Sequence, residues 1–587
     1  MTDTNPTHWL HVVLPFVVYG LSVLALAVAG SHDAGDDPFT AFLRRISRSL
    51  QRLTGYPGWV MAGVLSGLLM LWVGMIGVYW DVAFHIDRGR DEVLFTPSHT
   101  MIVLALSGLV YSAGVAVVYA TLERVPTRLR LGALRVPWSA LALGALGAGG
   151  LAGFPLDELW HRAFGIDVTL WSPTHLILVA GGGMSPIALW LMLAEGRADA
   201  SPTVLGRMVS FIVAGAVLTG LTAFQGEFDF GVPQFQVLYL PLLVAAAGGF
   251  ALVASRLALG PGGAVGAVVA YLVLRGCVAL LVGGVLGHTV PRFPLYLAGA
   301  VTVEAVAWWL GTERRLRFAV VAGAAMGSVG LAGELPWVAA LDWFHVSASV
   351  LPKAAALAPL AGVAAAVVAA GLGRVVPGGS RVGAGAVAVA LATLLVVLAY
   401  PLPREVGQVE ALIRLRPVGS LAEVEVEVQP PDAVDGATAF GVVAWQGGGR
   451  VVAELREMGP GRYVTAEPVP VSGTWKTMVG LQRGPEVMAA PIYLPPDPEI
   501  GAEAFPALAE RRVAFVRNTD VLLREAHGGP GWAAVAGYGG LAVAVAAWFG
   551  LLGLCAVRIS RDRDAGPGPN RPVTEPAGAC VGASQVA

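Results

Sequence analysis

Two aspartates and four histidines recur in one pattern: Asp81, His85 and His99, then Asp157, His161 and His175, offset by 76 residues. The smaller features between them repeat at the same offset, as Gly89 and Gly165, Asp91 and Asp167, Phe95 and Trp171, Thr96 and Ser172, and Pro97 and Pro173. Two imidazoles and a carboxylate suit a transition metal, and three protein donors leave a coordination position open for exchange or chemistry. Asp91, Asp167 and Glu158 are candidates to orient the imidazoles by accepting their second N–H. Asp87 reads instead as a helix cap or an exposed loop charge.

Such ligands need particular elements to hold them. Asp to His at i, i+4 puts both side chains on one helix face. Thr96-Pro97-Ser98-His99 and Ser172-Pro173-Thr174-His175 are helix-start signals, a hydroxyl N-cap followed by proline at the first helical position. His99 and His175 are therefore expected in the first turn of the next helix. Each copy reads as a helix end, a loop and a helix start.

Composition supplies the setting. With 587 residues, 56% hydrophobic and 13% charged, and a mean hydropathy of +0.68, the chain lies outside the soluble globular range. It is expected to be a mainly α, polytopic membrane helix bundle with the lipid bilayer as its partner. Apolar runs of roughly 20 residues, enough to cross a bilayer, lie near 9–30, 57–80, 98–121, 137–155, 174–194, 207–224, 235–257, 263–287, 293–311, 316–333, 350–371, 382–400 and 532–557, giving thirteen spans.

Arginines gather in alternate loops, at Arg44, Arg45, Arg48 and Arg52, at Arg124, Arg128, Arg130 and Arg135, at Arg314, Arg315 and Arg317, and at Arg558, Arg561 and Arg563. The positive-inside rule then predicts a multi-pass cell-membrane protein with its N-terminus out and its C-terminus in. Both triads fall on the outer side, and only His32 among the histidines falls inside. The first span lacks the flanks of a removable signal peptide. The near-neutral charge of −2 argues against a nucleic-acid partner. Cys277, Cys555 and Cys580 are too scattered for a disulfide framework or a thiolate cluster, so any metal is held by nitrogen and oxygen.

The expected organisation is a twelve-helix membrane domain at 1–401, with metal-site hairpins at 57–121 and 137–195. An extracytoplasmic β-sandwich follows at 402–495, a linker with an amphipathic helical stretch at 496–531, a last span at 532–558 and a disordered tail at 559–587. Alternation such as Val424, Glu425, Val426, Glu427, Val428 is strand periodicity. Seven strands are predicted near 406–416, 422–429, 437–446, 450–457, 462–470, 474–483 and 486–494. With Met458, Met478 and Met488 but no histidine among its strands, this domain lacks a blue-copper ligand set and reads as a docking or shielding module. Inside the bundle, Arg275 and Glu304 read as an intramembrane ion pair, with a proton or ion path as the alternative. Glu334, Asp342 and His345 form a candidate third metal site. His8 and His11 read as interfacial residues.

Asp81, His85, Arg90-Asp91 and Phe95-Thr96-Pro97-Ser98-His99 resemble the metal-site segment of the C subunit of particulate methane and ammonia monooxygenases, over residues 81–120. The internal copy at 157–195, with Trp171-Ser172-Pro173-Thr174-His175, is a looser match. The resemblance implies copper on Asp81, His85 and His99, and through the repeat on Asp157, His161 and His175. Iron or zinc suit the same donors. It also implies oxidation of a small apolar substrate with O2. Copper transport, acquisition or resistance, or an assembly role without catalysis, is the competing expectation. The family has a loop one residue shorter, about half as many spans and no fused β-domain. Gly459-Pro460-Gly461-Arg462-Tyr463 and Gly473-Thr474-Trp475 give 405–495 a resemblance to small extracytoplasmic β-domains of copper-handling membrane proteins. A homo-oligomer or partner subunits fit such an architecture.

Overall fold

The computed structural model describes residues 38–564 apart from 91–94, 166–169, 233 and 341–346, together with four scattered residues before 38. His8, His11, His32, Asp91, Asp167, Asp342 and His345 lie outside the described residues, as do most of the first expected span and the tail beyond 564.

Among the described residues, ten helices are long and apolar enough to cross a membrane, and two shorter apolar helices, Leu297–Leu310 and Ala384–Ala399, accompany them. Twelve of the thirteen expected spans thus have a helical counterpart, but those two, at 14 and 16 residues, fall short of the roughly 20 that a perpendicular crossing needs. The arginine-rich segment before the second expected span is itself a helix, α1 (Pro38–Thr54), which buries Thr40, Leu43 and Ser47 and exposes most of its other residues.

The helices that matter for the repeat are α2 (Gly58–Arg88), α3 (Pro97–Leu122), α4 (Trp138–Phe164) and α5 (Pro173–Glu195). At 31 residues α2 is about 46 Å long, well beyond a hydrocarbon core of about 30 Å. Its last turns, with Asp81 and His85, therefore emerge at one end of the bundle. Glycine lets these helices close on one another. A Cβ on Gly181 of α5 would lie 2.5 Å from the Gly150 Cα of α4, and one on Gly183 would lie 2.6 Å from the Gly220 carbonyl of the helix Val204–Thr222.

Arg275 and Glu304 are not partners. Arg275 donates to Asp229 at 2.5 Å, both groups 1% exposed, and the Tyr79 hydroxyl donates to the same carboxylate oxygen at 2.7 Å. Glu304 pairs with Arg256 at 2.8 Å and accepts from the Ala264 amide. Each charge, buried at Arg275 and half-buried at Glu304, meets the opposite charge that its own helix packing brings near.

The β-domain comprises β1 (Glu410–Val418), β2 (Leu421–Gln429), β3 (Ala439–Trp445), β4 (Arg450–Gly459), β5 (Arg462–Thr465), β6 (Val469–Pro470), β7 (Lys476–Arg483), β8 (Glu486–Tyr493), β9 (Glu510–Ala514) and β10 (Val516–Arg517). The pattern holds on β2, where Val424, Val426 and Val428 enter the core while Glu425 meets Arg414, Arg416 and Arg462 on the other face. The expected two-sheet sandwich is instead one continuous, barrel-like sheet in the order β9-β1-β2-β5-β4-β3-β7-β8-β10, with β6 added to β2. The ten-residue β4 makes it continuous, pairing with β3 along one part and with β5 along the other. The linker supplies the edge strands β9 and β10 and a five-residue helix, Asn518–Leu522, where a longer amphipathic helix was expected. The last helix, Gly531–Asp564, runs past the expected end at 558 and packs on the second hairpin, its Tyr538 ring edge-on to Trp160 of α4.

Candidate metal centre

Asp81 and His85 stand one turn apart on α2, and His99 comes from the first turn of α3. The Nε2 atoms of His85 and His99 lie 3.6 Å and 3.1 Å from the Asp81 carboxylate. The second triad repeats this, with His161 Nε2 and His175 Nε2 at 3.5 Å and 3.3 Å from Asp157 Oδ2. In both groups one ligand atom per residue lies within 4.8 Å of the others. A tetrahedral ion with bonds of about 2.0–2.1 Å holds its donors roughly 3.3 Å apart. The aspartate-to-histidine distances, 3.1–3.6 Å, already match that spacing.

The predicted helix starts place the second histidine of each set. Thr96 and Ser172 cap α3 and α5, each accepting from the histidine amide at 3.2 Å, with Pro97 and Pro173 opening the helices. A further contact repeats that spacing alone does not single out. The Ser98 hydroxyl donates to Asp81 Oδ1 at 2.9 Å, and the Thr174 hydroxyl to Asp157 Oδ1 at 2.6 Å. The only sequence signal was a hydroxyl residue just before the histidine in both copies. Its effect is to turn the carboxylate: with Oδ1 of Asp157 taken, Oδ2 faces both imidazoles.

Two features fit a cation. The Gly89 carbonyl lies 2.9 Å from His85 Nδ1. A carbonyl only accepts, so a proton sits on Nδ1 and Nε2 is the ring nitrogen left to ligate an ion beside the Asp81 carboxylate. In the second triad, His161 Nε2 is buried with no hydrogen-bond partner, the kind of orphan a bound ion satisfies.

Both triads line one cavity of about 1220 Å3. Toward the bundle its walls are Leu68, Leu71, Trp72, Leu106 and Leu109. Leu68 is thirteen residues before Asp81, so the cavity runs about 20 Å along α2. Phe154 of α4, one turn before Asp157, meets the His99 ring edge-on at 6.4 Å.

The β-domain and linker close the other end. The Gln446 and Gly448 amides donate to the carbonyls of Ile86 and Asp87, satisfying acceptors that the C-terminus of α2 leaves open. Arg90 forms a fork on Asp497 at 2.7 Å and 2.8 Å and also reaches Glu499. Its guanidinium holds the Asp497 carboxyl below the ordinary aspartate value. Over the second hairpin, the His527 amide donates to the Phe164 carbonyl at 2.8 Å.

No protein-family model, curated protein or solved structure matches this chain. What the site can do follows from its donors and walls.

Other expected participants take different parts. Glu158 pairs with Arg162 at 2.8 Å rather than with an imidazole N–H. Asp87 is 2% exposed and is neither a cap nor a loop charge. It accepts from Thr289 N and Oγ1, and His288 Nδ1 lies 3.0 Å from it, which fastens α2 to the segment before Leu297–Leu310. Glu334 accepts the amides of Leu295 and Tyr296 at the start of that helix, and its expected companions Asp342 and His345 lie outside the described residues.

Proposed function

We propose that this is a copper-binding, multi-pass cell-membrane protein whose two Asp/His/His centres serve one chamber for a small apolar molecule, which is oxidised there with O2. The carrying observation is that both triads open into a single cavity whose deep wall is leucine and tryptophan. The choice of copper rests on the likeness of Asp81, His85 and Phe95-Thr96-Pro97-Ser98-His99 to the copper membrane monooxygenases. Bound copper would supply the one-electron chemistry that O2 activation requires. The chain's own part is to present two imidazoles and a carboxylate per ion, to leave one side of each triad open to the cavity, and to keep bulk water out with the β-domain. Placement of the triads on the outer side follows from the arginine distribution.

Copper transport fits less well. A translocated cation needs polar groups along its route, whereas Leu68, Leu71, Trp72, Leu106 and Leu109 line the cavity on the bundle side. The test uses purified full-length protein in nanodiscs. Elemental analysis is expected to find two ions per chain, falling by about half in His85→Ala and in His161→Ala. Reductant-dependent O2 consumption with a short alkane or alkene is expected to disappear in both. Metal uptake into sealed vesicles without O2 consumption would favour transport and defeat the oxidase reading.

A further inference from the structure

The duplicated hairpins provide an internal comparison, because each ends its first helix on a glycine and each glycine is covered by a different part of the lid. Gly89, φ +99°, lies under Gln446: a Cβ there would be 3.3 Å from the Gln446 amide carbon. Gly165, φ +85°, lies under the linker: a Cβ there would be 2.1 Å from the Glu525 carbonyl oxygen and 3.1 Å from the His527 ring. Only glycine admits so close an approach in that backbone region. The turn of the first hairpin is thus covered by the Gln446 side-chain amide and that of the second by the Glu525 backbone carbonyl and the His527 ring.

Glu525 is 6% exposed, it lines the chamber, and its Oε2 atom is buried without a hydrogen-bond partner. An unsatisfied carboxylate oxygen so placed suits a cation. The other acidic groups at this rim are engaged, Glu158 with Arg162, and Asp497 and Glu499 with Arg90. The nearby cations are Lys476 and Arg524. Arg524 is held by the Pro495 and Glu503 carbonyls, and Lys476 is 8% exposed, burial pushing its ammonium below the ordinary lysine value while the charge of Glu525 acts in the opposite direction. His527, two residues from Glu525, lines the same wall.

We infer that Glu525 and His527 form a receiving station for the metal ion at the rim of the chamber, so that the Asp157, His161 and His175 triad fills first. The chemical class is a cation that accepts mixed oxygen and nitrogen donors, here Cu(I) or Cu(II). The first triad, under Gln446, fills later through the shared cavity. This rests on the triads being metal sites.

Metal-stripped full-length protein in nanodiscs is mixed with buffered copper, quenched with chelator at set times, and its protein-bound copper counted. Wild type is expected to fill in two phases, with the faster one absent in His175→Ala. Glu525→Gln is expected to slow the fast phase about tenfold, the scale of a lost steering charge, with the final two equivalents unchanged. Gln446→Glu is expected to accelerate the slow phase by a similar factor, and it tests the idea even if Glu525→Gln folds poorly. Unchanged rates in both variants would overturn the station, and so would loss of one equivalent in Glu525→Gln, which would make Glu525 a ligand. A wild-type chain that binds no copper would instead defeat the metal-site reading itself.

Discussion

Thr174→Val removes one hydroxyl and nearly nothing else, which makes it the sharpest test of how the second triad is held. The Thr174 hydroxyl donates at 2.6 Å to Asp157 Oδ1 and leaves Oδ2 facing His161 and His175 at 3.5 Å and 3.3 Å. Thr174 is 5% exposed and Asp157 8%, so water does not replace the lost donor freely. A hydrogen bond to a charged group contributes about 1.5–3 kcal/mol. At about 1.4 kcal/mol per decade, the affinity of that site should fall roughly 10- to 150-fold. Chelator competition on the full-length protein, with His99→Ala to silence the other triad, reads that site alone. Ser98→Ala should act on the first triad in the same direction, and more weakly, because its 2.9 Å contact falls on the oxygen already shared with His99. If Thr174→Val binds metal as tightly as the parent, or weakens both triads equally, the carboxylate is not oriented in the way argued.

Two further outcomes follow from the ion pairs. Arg90→Met should free the lid with a loss of about 1 kcal/mol, seen as faster hydrogen exchange at the Gln446 and Gly448 amides that bond α2. The Asp497 carboxyl is depressed by Arg90, so the pair's contribution is fully present above the ordinary aspartate value of about 3.9 and is lost as pH falls through the lowered one. Lid protection should be flat from pH 5 to 8, and loosening within that range would contradict the assignment. Arg275→Met removes the arginine that faces Asp229 at 1% exposure and should destabilise the fold by about 3–5 kcal/mol, with Asp229→Asn added to it restoring much of the loss. A thermal shift that the second substitution does not reverse would show that Arg275 acts through packing alone.

The triads were legible because their geometry is local. An i, i+4 pair and a capped helix start fix three of the six candidate ligands from sequence spacing, and the repeat supplies the other three. The β-strands were legible for the same reason, since Val424, Val426 and Val428 declare an inner face by alternation. What sequence could not disclose is pairing across long separations. Arg275 and Glu304 looked like partners because their spans are adjacent, yet Asp229 and Arg256 were nearer in space. Arg90 meets Asp497 some four hundred residues on, and nothing in either segment points to the other. The β-sandwich expectation failed similarly. Strand count and patterning do not say whether β4 bends to join two halves into one sheet, and the edge strands β9 and β10 lay in what composition marked as linker.

The lid is stitched to the membrane along two seams, since Ala384–Ala399 leads into β1 and the linker runs straight into Gly531–Asp564. A cap hinged on one side can swing clear, but one sewn down at both edges can only flex. On the proposed function, oily guests dissolved in the bilayer would slip in sideways between helices while ions pass beneath the rim, and cutting the chain just before the final helix should turn a fixed roof into a flap.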